Sequence, residues 1–376
     1  MLRSVTWRAW CILLLAGLGA CFTDQGDATT ATDSATTSSG AASDTTVTAS
    51  GASETTGSGG SSGSTGAATT GDATASTTAT NATTTAATTT TATTTEDPLT
   101  PPTLCELELD AFTLEEPVAL DELNTSERDS DPFFAGDGLT LYFATNLANG
   151  ADVFTATRAG PGALFGSPQL ADALGVNSPQ DDTKVQLLDG GLTLLLSSAR
   201  DGGEGGFDIW LGARADADAP FQELVNAGPS INSPDNEIDP HASADGLRLY
   251  FAGEYNGELT IYSSSRPDAR SEFSPRALLP NIETGNFRST HPIVSDDERV
   301  LIYTSARDGS DDLWLAHRDS VDDDFGPSAP LPVVNTEAFE GEAALSPDGC
   351  ELIFASDRAD PGANGWDLYY TRVIPR

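Results

Sequence analysis

Ser346–Arg358 reads SPDGCELIFASDR, and this stretch decides the fold. Its Pro-Asp-Gly start is a turn signal, and the apolar run around Phe354 has the length of a buried β-strand. A second strand pattern follows at Asp367–Tyr369. A tight turn followed by two short strands is typical of an antiparallel sheet.

The same pattern returns along the chain every 51 to 56 residues. An apolar residue lies six places after the start of each turn, at Phe143, Leu196, Phe251, Tyr303 and Phe354. An aromatic residue marks a later strand, at Phe154, Trp210, Tyr262, Trp314 and Tyr369, and we interpret this set as core between repeats. A third set consists of Asn124, Asn177, Asn232, Thr284 and Asn335. Three registers with one period indicate five repeats, at about 112–158, 165–214, 221–266, 273–318 and 325–372.

Each repeat contains four candidate strands and no helical periodicity. In the first repeat they are Ala119–Leu123, Asp131–Ala135, Leu139–Thr145 and Asp152–Thr157. Four short antiparallel strands in a unit of this length describe one blade of a β-propeller. The sequence therefore predicts an all-β, five-bladed propeller of four-stranded antiparallel blades.

The repeats resemble the WD40-like (PD40) repeats of TolB-type propellers. The resemblance is carried by Ser346–Arg358, by SADGLRLYF at Ser243–Phe251, and by TSARDG at Thr304–Gly309. It covers all five repeats, with departures at Glu298, which replaces a turn glycine, and at Val185, which replaces an inner-strand proline. Since TolB-type propellers have six blades, a six-bladed ring remains an alternative.

The order of strands predicts how the ring closes. The first repeat begins with an outermost strand and the last repeat ends on a third strand, so the N-terminal strand should complete the fifth blade and remove the open edges. In this topology Cys105 and Cys350 come close together. An oxidising compartment permits a disulfide, and we predict a Cys105–Cys350 bond.

The N-terminus is typical of an export signal. Arg3 and Arg8 precede a short apolar run, and residues 1–20 have the length of a signal peptide. Leu18–Cys21 resembles the lipobox of bacterial lipoproteins, which implies cleavage before Cys21 and lipidation of its thiol. Ordinary cleavage after Ala20 is the alternative. Phe22 after the cysteine favours the outer membrane, with periplasmic or surface-exposed display.

Residues 21–103 are almost entirely Thr, Ala, Ser and Gly, and no aromatic residue lies between Thr23 and Thr100. Such a segment cannot bury enough apolar surface to offset its chain entropy. We therefore predict a disordered tether, followed by one folded domain at 104–376.

The chain is strongly acidic, with a formal net charge of -39 and a single lysine, Lys184. A field of this sign repels nucleic acids and anionic headgroups, and it favours cations or basic partners. Nucleic-acid binding is excluded.

The inner strands carry a set of polar residues at equivalent positions, seven places after each Asn/Thr anchor. They are Asp131, Lys184, Asp239, His291 and Glu342. We call them the polar ring and expect them near the mouth of the central channel. They constitute a candidate ligand or cation site, and the alternative is charges that pair with neighbouring blades. The loops between blades gather at this end, where we expect any ligand to bind.

Several kinds of chemistry were weighed for the ring. Five-bladed propellers include glycosidases, and two carboxylates at a suitable separation could act as acid and base. No family signature accompanies these carboxylates, so no catalytic residue is assigned. The spacing of the three histidines argues against zinc, and no metal site or cofactor is predicted. Two Gly-rich acidic loops, Asp201–Asp208 and Asp308–Asp312, leave structural calcium as an alternative.

Three arginines end the second strands, and an aspartate opens each following strand. The pairs are Arg200 with Asp208, Arg307 with Asp312 and Arg358 with Asp367. This spacing predicts an ion pair across each hairpin loop.

The combined features favour a non-catalytic cell-envelope lipoprotein whose propeller binds an envelope protein, a peptide or a glycan. The alternative is an envelope glycoside hydrolase or lyase on the same fold.

Overall fold

The computed structural model describes residues 112–147, 150–282, 287–362 and 365–375. The predicted signal peptide, lipidation at Cys21, tether and Cys105 lie outside the described residues. Apart from two short 3-10 helices, Asp172–Leu174 and Asp189–Gly191, the described secondary structure is β-strand. Within this part of the chain, no helix is long and apolar enough to cross a membrane.

The strands form five antiparallel sheets, one for each predicted blade. Blade 1 contains β3 (Asp129–Phe134), β4 (Thr140–Thr145), β5 (Asp152–Thr157) and β6 (Gln169–Leu170). Blade 2 contains β7 (Asp182–Leu188), β8 (Thr193–Ser198), β9 (Asp208–Ala213) and β10 (Leu224–Asn226). Blade 3 contains β11 (Glu237–Ala242), β12 (Arg248–Tyr255), β13 (Glu258–Ser265) and β14 (Ala277–Leu278). Blade 4 contains β15 (Ser289–Val294), β16 (Val300–Ser305), β17 (Asp312–His317) and β18 (Ala329–Pro330).

Blade 5 is built from both ends of the described chain. Its C-terminal strands are β19 (Glu340–Leu345), β20 (Glu351–Ser356) and β21 (Asp367–Pro375), and its N-terminal strands are β1 (Phe112–Leu114) and β2 (Val118–Ala119). β2 pairs with β21 through Val118↔Tyr370, and β1 pairs with the end of β21 through Leu114↔Val373. The predicted fold class, blade count and closure are confirmed.

The predicted anchor residues face one another inside each blade. The register pairs are Phe143↔Phe154, Leu196↔Trp210, Phe251↔Tyr262, Tyr303↔Trp314 and Phe354↔Tyr369. The second-strand members are all buried, and each apolar cluster of the described residues draws on two adjacent blades. Burial of these side chains between blades supplies the main force that holds the ring together.

The asparagine anchors connect each blade to the next. Asn232 in the loop before β11 accepts a hydrogen bond from the backbone N of Ile209 (2.9 Å) and donates one to its carbonyl (3.0 Å). Asn124, Asn177 and Asn335 do the same with Leu368, Val153 and Leu313. Thr284 lies outside the described residues. The amide thus pairs with the backbone N–H at the start of the third strand and adds a second donor to its carbonyl, which explains the third periodic set.

We expect Asn232→Ala to lower the free energy of unfolding by about 1–3 kcal/mol, because it leaves the backbone N–H of Ile209 buried without a partner, whereas the carbonyl of Ile209 keeps the backbone N–H of Ala227 (2.9 Å). The matched control, Asn146→Ala in an exposed loop, should change it by less than about 0.5 kcal/mol. Urea unfolding followed by tryptophan fluorescence measures both. Equal losses in the two variants would contradict this role for Asn232.

A second repeated contact seals the turn between inner and second strands. The arginine after each third strand donates to a turn carbonyl and lies over a phenylalanine, in the sets Arg158/Gly138/Phe165, Arg214/Gly191/Phe221, Arg266/Gly246/Phe273 and Arg318/Glu298/Phe325. Combined hydrogen bonding and cation–π contact suits the planar guanidinium.

Glu298, which departs from the repeat pattern, has an identifiable role. It occupies the left-handed turn position (φ +54°) that Gly138, Gly246 and Gly349 occupy in other blades. The strain of a side chain there costs roughly 1–2 kcal/mol. Its carboxylate accepts hydrogen bonds from Arg248 Nε (2.7 Å) and Tyr250 Oη (3.1 Å), which offset that cost.

Candidate functional site

The polar ring lies on irregular stretches of the five inner strands. Each of these strands shows a register shift at the ring position. Four ring residues have left-handed backbone angles: Asp131 (φ 54°), Asp239 (φ 58°), His291 (φ 50°) and Glu342 (φ 55°). Bulges re-aim side chains, and non-glycine residues in this conformation mark sites where structure is strained for function.

Four of the five ring residues converge on one point. His291 Nε2 lies 3.1 Å from Asp239 Oδ1, 3.4 Å from Glu342 Oε1 and 3.5 Å from Asp131 Oδ1. The three carboxylates are buried, and 11% of the His291 side chain is exposed. The sequence prediction of a ring is therefore realised as a tight ionic cluster around an imidazole.

Lys184, the fifth member, takes a different position. Its Nζ donates to the carbonyl of Pro132 at 2.8 Å, and the side chain is 1% exposed. Burial lowers the pKa of Lys184, although the carboxylates of Asp131, Asp239 and Glu342 act in the opposite direction. The amine serves as a bridge between blades 1 and 2 beside the cluster.

Burial and the neighbouring charges shift the pKa values of His291 and Asp239. Burial disfavours the charged imidazolium, yet the carboxylates of Asp239 and Glu342 hold the pKa of His291 above its ordinary value. Burial raises the pKa of Asp239 to about 6, against the effect of His291. Such opposed shifts in one buried group of residues are typical of functional sites.

Hydrogen bonds from backbone and side chains fix the orientation of the cluster. Glu342 accepts from Arg128 Nη2 (2.6 Å) and from the backbone N of Asp131 (3.1 Å), so both of its oxygens are engaged. The backbone N of His291 donates to Asp239 Oδ2 (3.2 Å), and His291 Nδ1 lies 2.9 Å from Thr290 Oγ1. Each ring residue is thus held by its neighbouring blade.

Arg128 connects the cluster to the loop face through an aromatic stack. Its guanidinium lies 3.6 Å from the ring centre of Trp366, which stacks on Phe339 at 4.0 Å. The Arg128 side chain is 39% exposed. Sequence reasoning missed this stack, because Trp366 and Phe339 lie outside the periodic aromatic set.

A cavity of about 750 Å³ occupies the other half of the central channel. It opens toward the turns between inner and second strands, and all five blades line it. Pro132, Leu187, Ile293 and Leu345 contribute apolar wall, and Lys184 is the one member of the polar ring that lines it. We expected ligands at the loop face, but the cavity lies at the opposite, hairpin face, because the ionic cluster fills the channel toward the loops.

Acidic residues surround the mouth of this cavity. The rim carboxylates are Asp137, Asp189, Asp296, Asp297 and Asp348, with Arg214 and Arg299 among them. Asp137 accepts hydrogen bonds from the backbone N of Leu139 (2.8 Å) and of Thr140 (2.9 Å). Burial opposes the effect, but these bonds lower the pKa of Asp137 and keep it ionised.

The predicted ion pairs across the hairpin loops were wrong for all three arginines. Arg307 donates to Ser305 Oγ (3.2 Å) and to the carbonyl of Ile282 (3.4 Å), and Asp312 accepts from Ser310 Oγ (3.2 Å). Arg200 binds Asp182 (2.6 Å) and Arg358 binds Glu340 (3.1 Å), rather than Asp208 and Asp367. Asp208 instead accepts the backbone N of Glu204 (2.8 Å) inside its own Gly-rich loop. The acids at the start of the inner strands attract the arginines because they are fully buried and need a countercharge.

Those buried acids follow a sequence pattern that we did not use. In four repeats the anchor asparagine is followed by Ser or Thr and, four residues later, by an acid: Thr125/Asp129, Ser178/Asp182, Ser233/Glu237 and Thr336/Glu340. The acid accepts the backbone N of the Ser or Thr in each case. This cap closes the loop that leads into the ring.

Cys350 is disulfide-bonded. Its predicted partner Cys105 lies outside the described residues, so that pairing stays a prediction.

The comparisons with known proteins concern the fold. No protein-family model and no curated protein matches the chain. A structure described as a putative TolB from Agrobacterium tumefaciens is 16% identical, with a TM-score of 0.41, and covers 71% of this chain and 99% of its own. An alpha-L-arabinofuranosidase from Podospora anserina, solved with cellotriose, is 14% identical (TM-score 0.45; 70% and 97% covered). A GH43_1 enzyme from Xanthomonas citri is 18% identical (TM-score 0.45; 69% and 89% covered).

Proposed function

We propose that this protein is a non-catalytic binding module of the cell envelope, held to the membrane by a lipid on Cys21. Its propeller takes a basic segment of a protein or peptide partner into the central cavity at the hairpin face. The observation that carries this proposal is the cavity itself, which combines an apolar wall from five blades with an acidic rim.

The size and chemistry of the cavity suit such a segment. A volume of about 750 Å³ lies within the range of ligand sites, which are mostly apolar with a few fixed polar groups. Gln186 exchanges hydrogen bonds with the backbone of Ala242, and His241 Nε2 lies 3.2 Å from the carbonyl of Val294. These contacts between blades hold the wall in shape before a ligand arrives.

The acidic rim supports a basic partner. Ionised carboxylates at the rim, on a chain of net charge -39, attract cationic groups and speed their encounter. The apolar wall below the rim would then bury the neighbouring side chains of the bound segment.

The ring geometry disfavours the hydrolase alternative. Glycoside hydrolysis needs two carboxyl groups about 5–10 Å apart with the sugar between them. Oxygens of Asp131 and Asp239 lie within 4.8 Å of each other, and both face His291. No ring carboxylate lines the cavity. Of the ring residues, a sugar bound there would meet Lys184, and the carboxylates that line the cavity lie at its rim.

The test compares full-length protein with Ala244→Trp, which fills the cavity at its rim, and with Ala159→Trp, a matched change at an exposed position outside the cavity. We expect a peptide array to show binding to Lys/Arg-containing apolar peptides, weakened more than tenfold by Ala244→Trp and unchanged by Ala159→Trp. Binding that ignores Ala244→Trp would contradict the proposed site. Turnover of an oligosaccharide set that Glu342→Gln abolishes would establish the hydrolase instead.

A further inference from the structure

The polar ring holds a buried carboxylate oxygen without a hydrogen-bond partner. Asp131 is 4% exposed, and its Oδ1 makes no hydrogen bond within the described residues although it faces the centre of the cluster. Its contact with His291 Nε2 is long, at 3.5 Å, and that nitrogen also faces Asp239 and Glu342. A buried charged oxygen that is so weakly satisfied calls for an explanation such as an ion. We propose that Asp131, Asp239 and His291 form a binding site for one divalent transition-metal cation, with Zn²⁺ as the probe.

The distances around His291 fit a shared metal better than a shared proton. A single Nε2–H can point at one acceptor, yet three carboxylate oxygens lie 3.1, 3.4 and 3.5 Å from Nε2. Ligand atoms bound at ~2.0 Å in a tetrahedral site are roughly 3.3 Å apart. The donor atoms of Asp131, Asp239 and His291 all lie within 4.8 Å of one another. Small side-chain adjustments would therefore complete the coordination.

The donor set favours a transition metal. Imidazole nitrogen with carboxylate oxygen suits Zn²⁺, whereas Ca²⁺ takes six to eight oxygens. The charges agree, because Lys184 Nζ is directed to the carbonyl of Pro132 and Arg128 is bound to Glu342. Two carboxylates, Asp131 and Asp239, are left to neutralise a divalent cation.

The surrounding contacts resemble the outer shell of a metal site. His291 Nδ1 is held by Thr290 Oγ1, which fixes the ring with Nε2 toward the carboxylates. Glu342 has both oxygens engaged by Arg128 and Asp131 N, so it positions Asp131 and is not counted as a ligand. Such partners commonly tune metal affinity ten- to a hundredfold.

The experiment titrates EDTA-treated, dialysed full-length protein with ZnCl₂ in a calorimeter. We expect one tight equivalent, a rise in Tm, and weaker binding of CaCl₂. Asp131→Asn should weaken Zn²⁺ binding at least tenfold, and asparagine tolerates the backbone angle at this position. Asp129→Asn is the matched control, because it neutralises another fully buried carboxylate of the same strand that faces Thr125 instead.

A second readout separates binding from folding. Co²⁺ substitution should give a visible absorption band that His291→Gln abolishes while its circular dichroism stays that of the folded chain. No tight equivalent in the native protein would overturn the proposal. Zn²⁺ binding that Asp131→Asn and Asp129→Asn leave equally strong would also overturn it, since the acidic surface would then be the binding site.

Discussion

Replacing Glu351 with alanine is expected to lower the free energy of unfolding by about 3–5 kcal/mol, because it leaves the guanidinium of Arg158 buried without its countercharge. The Arg158 side chain is 1% exposed and that of Glu351 5%. Glu351 also accepts hydrogen bonds from Gly162 N (2.9 Å) and Tyr370 Oη (2.7 Å). The pair joins blades 1 and 5 at the seam where the ring closes.

Chemical denaturation of the native protein and of Glu351→Ala measures this loss. Asp311→Ala is the matched control, since its partner Arg288 is 39% exposed and exposed pairs contribute about 0–1 kcal/mol. A loss at Glu351 no larger than that at Asp311 would show that Arg158 reaches water in the variant.

Loss of the disulfide at Cys350 is expected to have a comparable effect. We propose that its partner is Cys105, which would close a loop of more than 200 residues. Cross-links over loops of this length stabilise by about 5 kcal/mol in the chain-entropy model, and measured values are often smaller. Cys350→Ser should therefore lower the free energy of unfolding by about 2–5 kcal/mol.

The pairing itself is tested by combining variants. If Cys105 and Cys350 form one bond, then Cys105→Ser, Cys350→Ser and the double variant lose the same stability, because the second change removes nothing further. Losses that add in the double variant would rule out this pairing. Tm under non-reducing conditions provides the measurement.

The blade architecture could be predicted because it repeats. Packing between blades demands an apolar residue at the same place in every second strand, and Phe143 and Phe354 satisfy that demand 211 residues apart in the sequence numbering. The order of the strands was sufficient to predict that the N-terminal strand closes the ring, and β2 does pair with β21 through Val118↔Tyr370. Because every blade must bury the same positions, the same residue types recur at a fixed spacing, and this spacing can be read from a single sequence.

The geometry of the ring was beyond such reasoning. The pattern placed Asp239 and His291 at equivalent positions, but equivalence predicts a spaced circle rather than convergence. The side chains converge because Asp131, Asp239, His291 and Glu342 have left-handed backbone angles. These angles cannot be predicted from the residue types. Spacing along the sequence could not indicate the proposed metal site either, since Asp131, Asp239 and His291 lie in three different blades.

The arginine pairs show how burial overrides proximity in sequence. Arg200 lies closer in the chain to Asp208 than to Asp182, yet it binds Asp182 because that carboxylate is fully enclosed. The repeated spacing from Ser or Thr to an acid could have predicted this pairing. An acid that accepts the backbone N–H of its own loop is directed into the protein, where it needs a countercharge.

The closing of blade 5 by both ends of the described chain has a consequence for biogenesis. Asn124 and Leu368, which pair across the seam, are separated by 244 residues. Because the chain is synthesised from its amino terminus, β1 and β2 stay without their partner until β21 has been made. During that interval their edges can pair with other strands, and a chaperone that shields extended segments would prevent such wrong pairing.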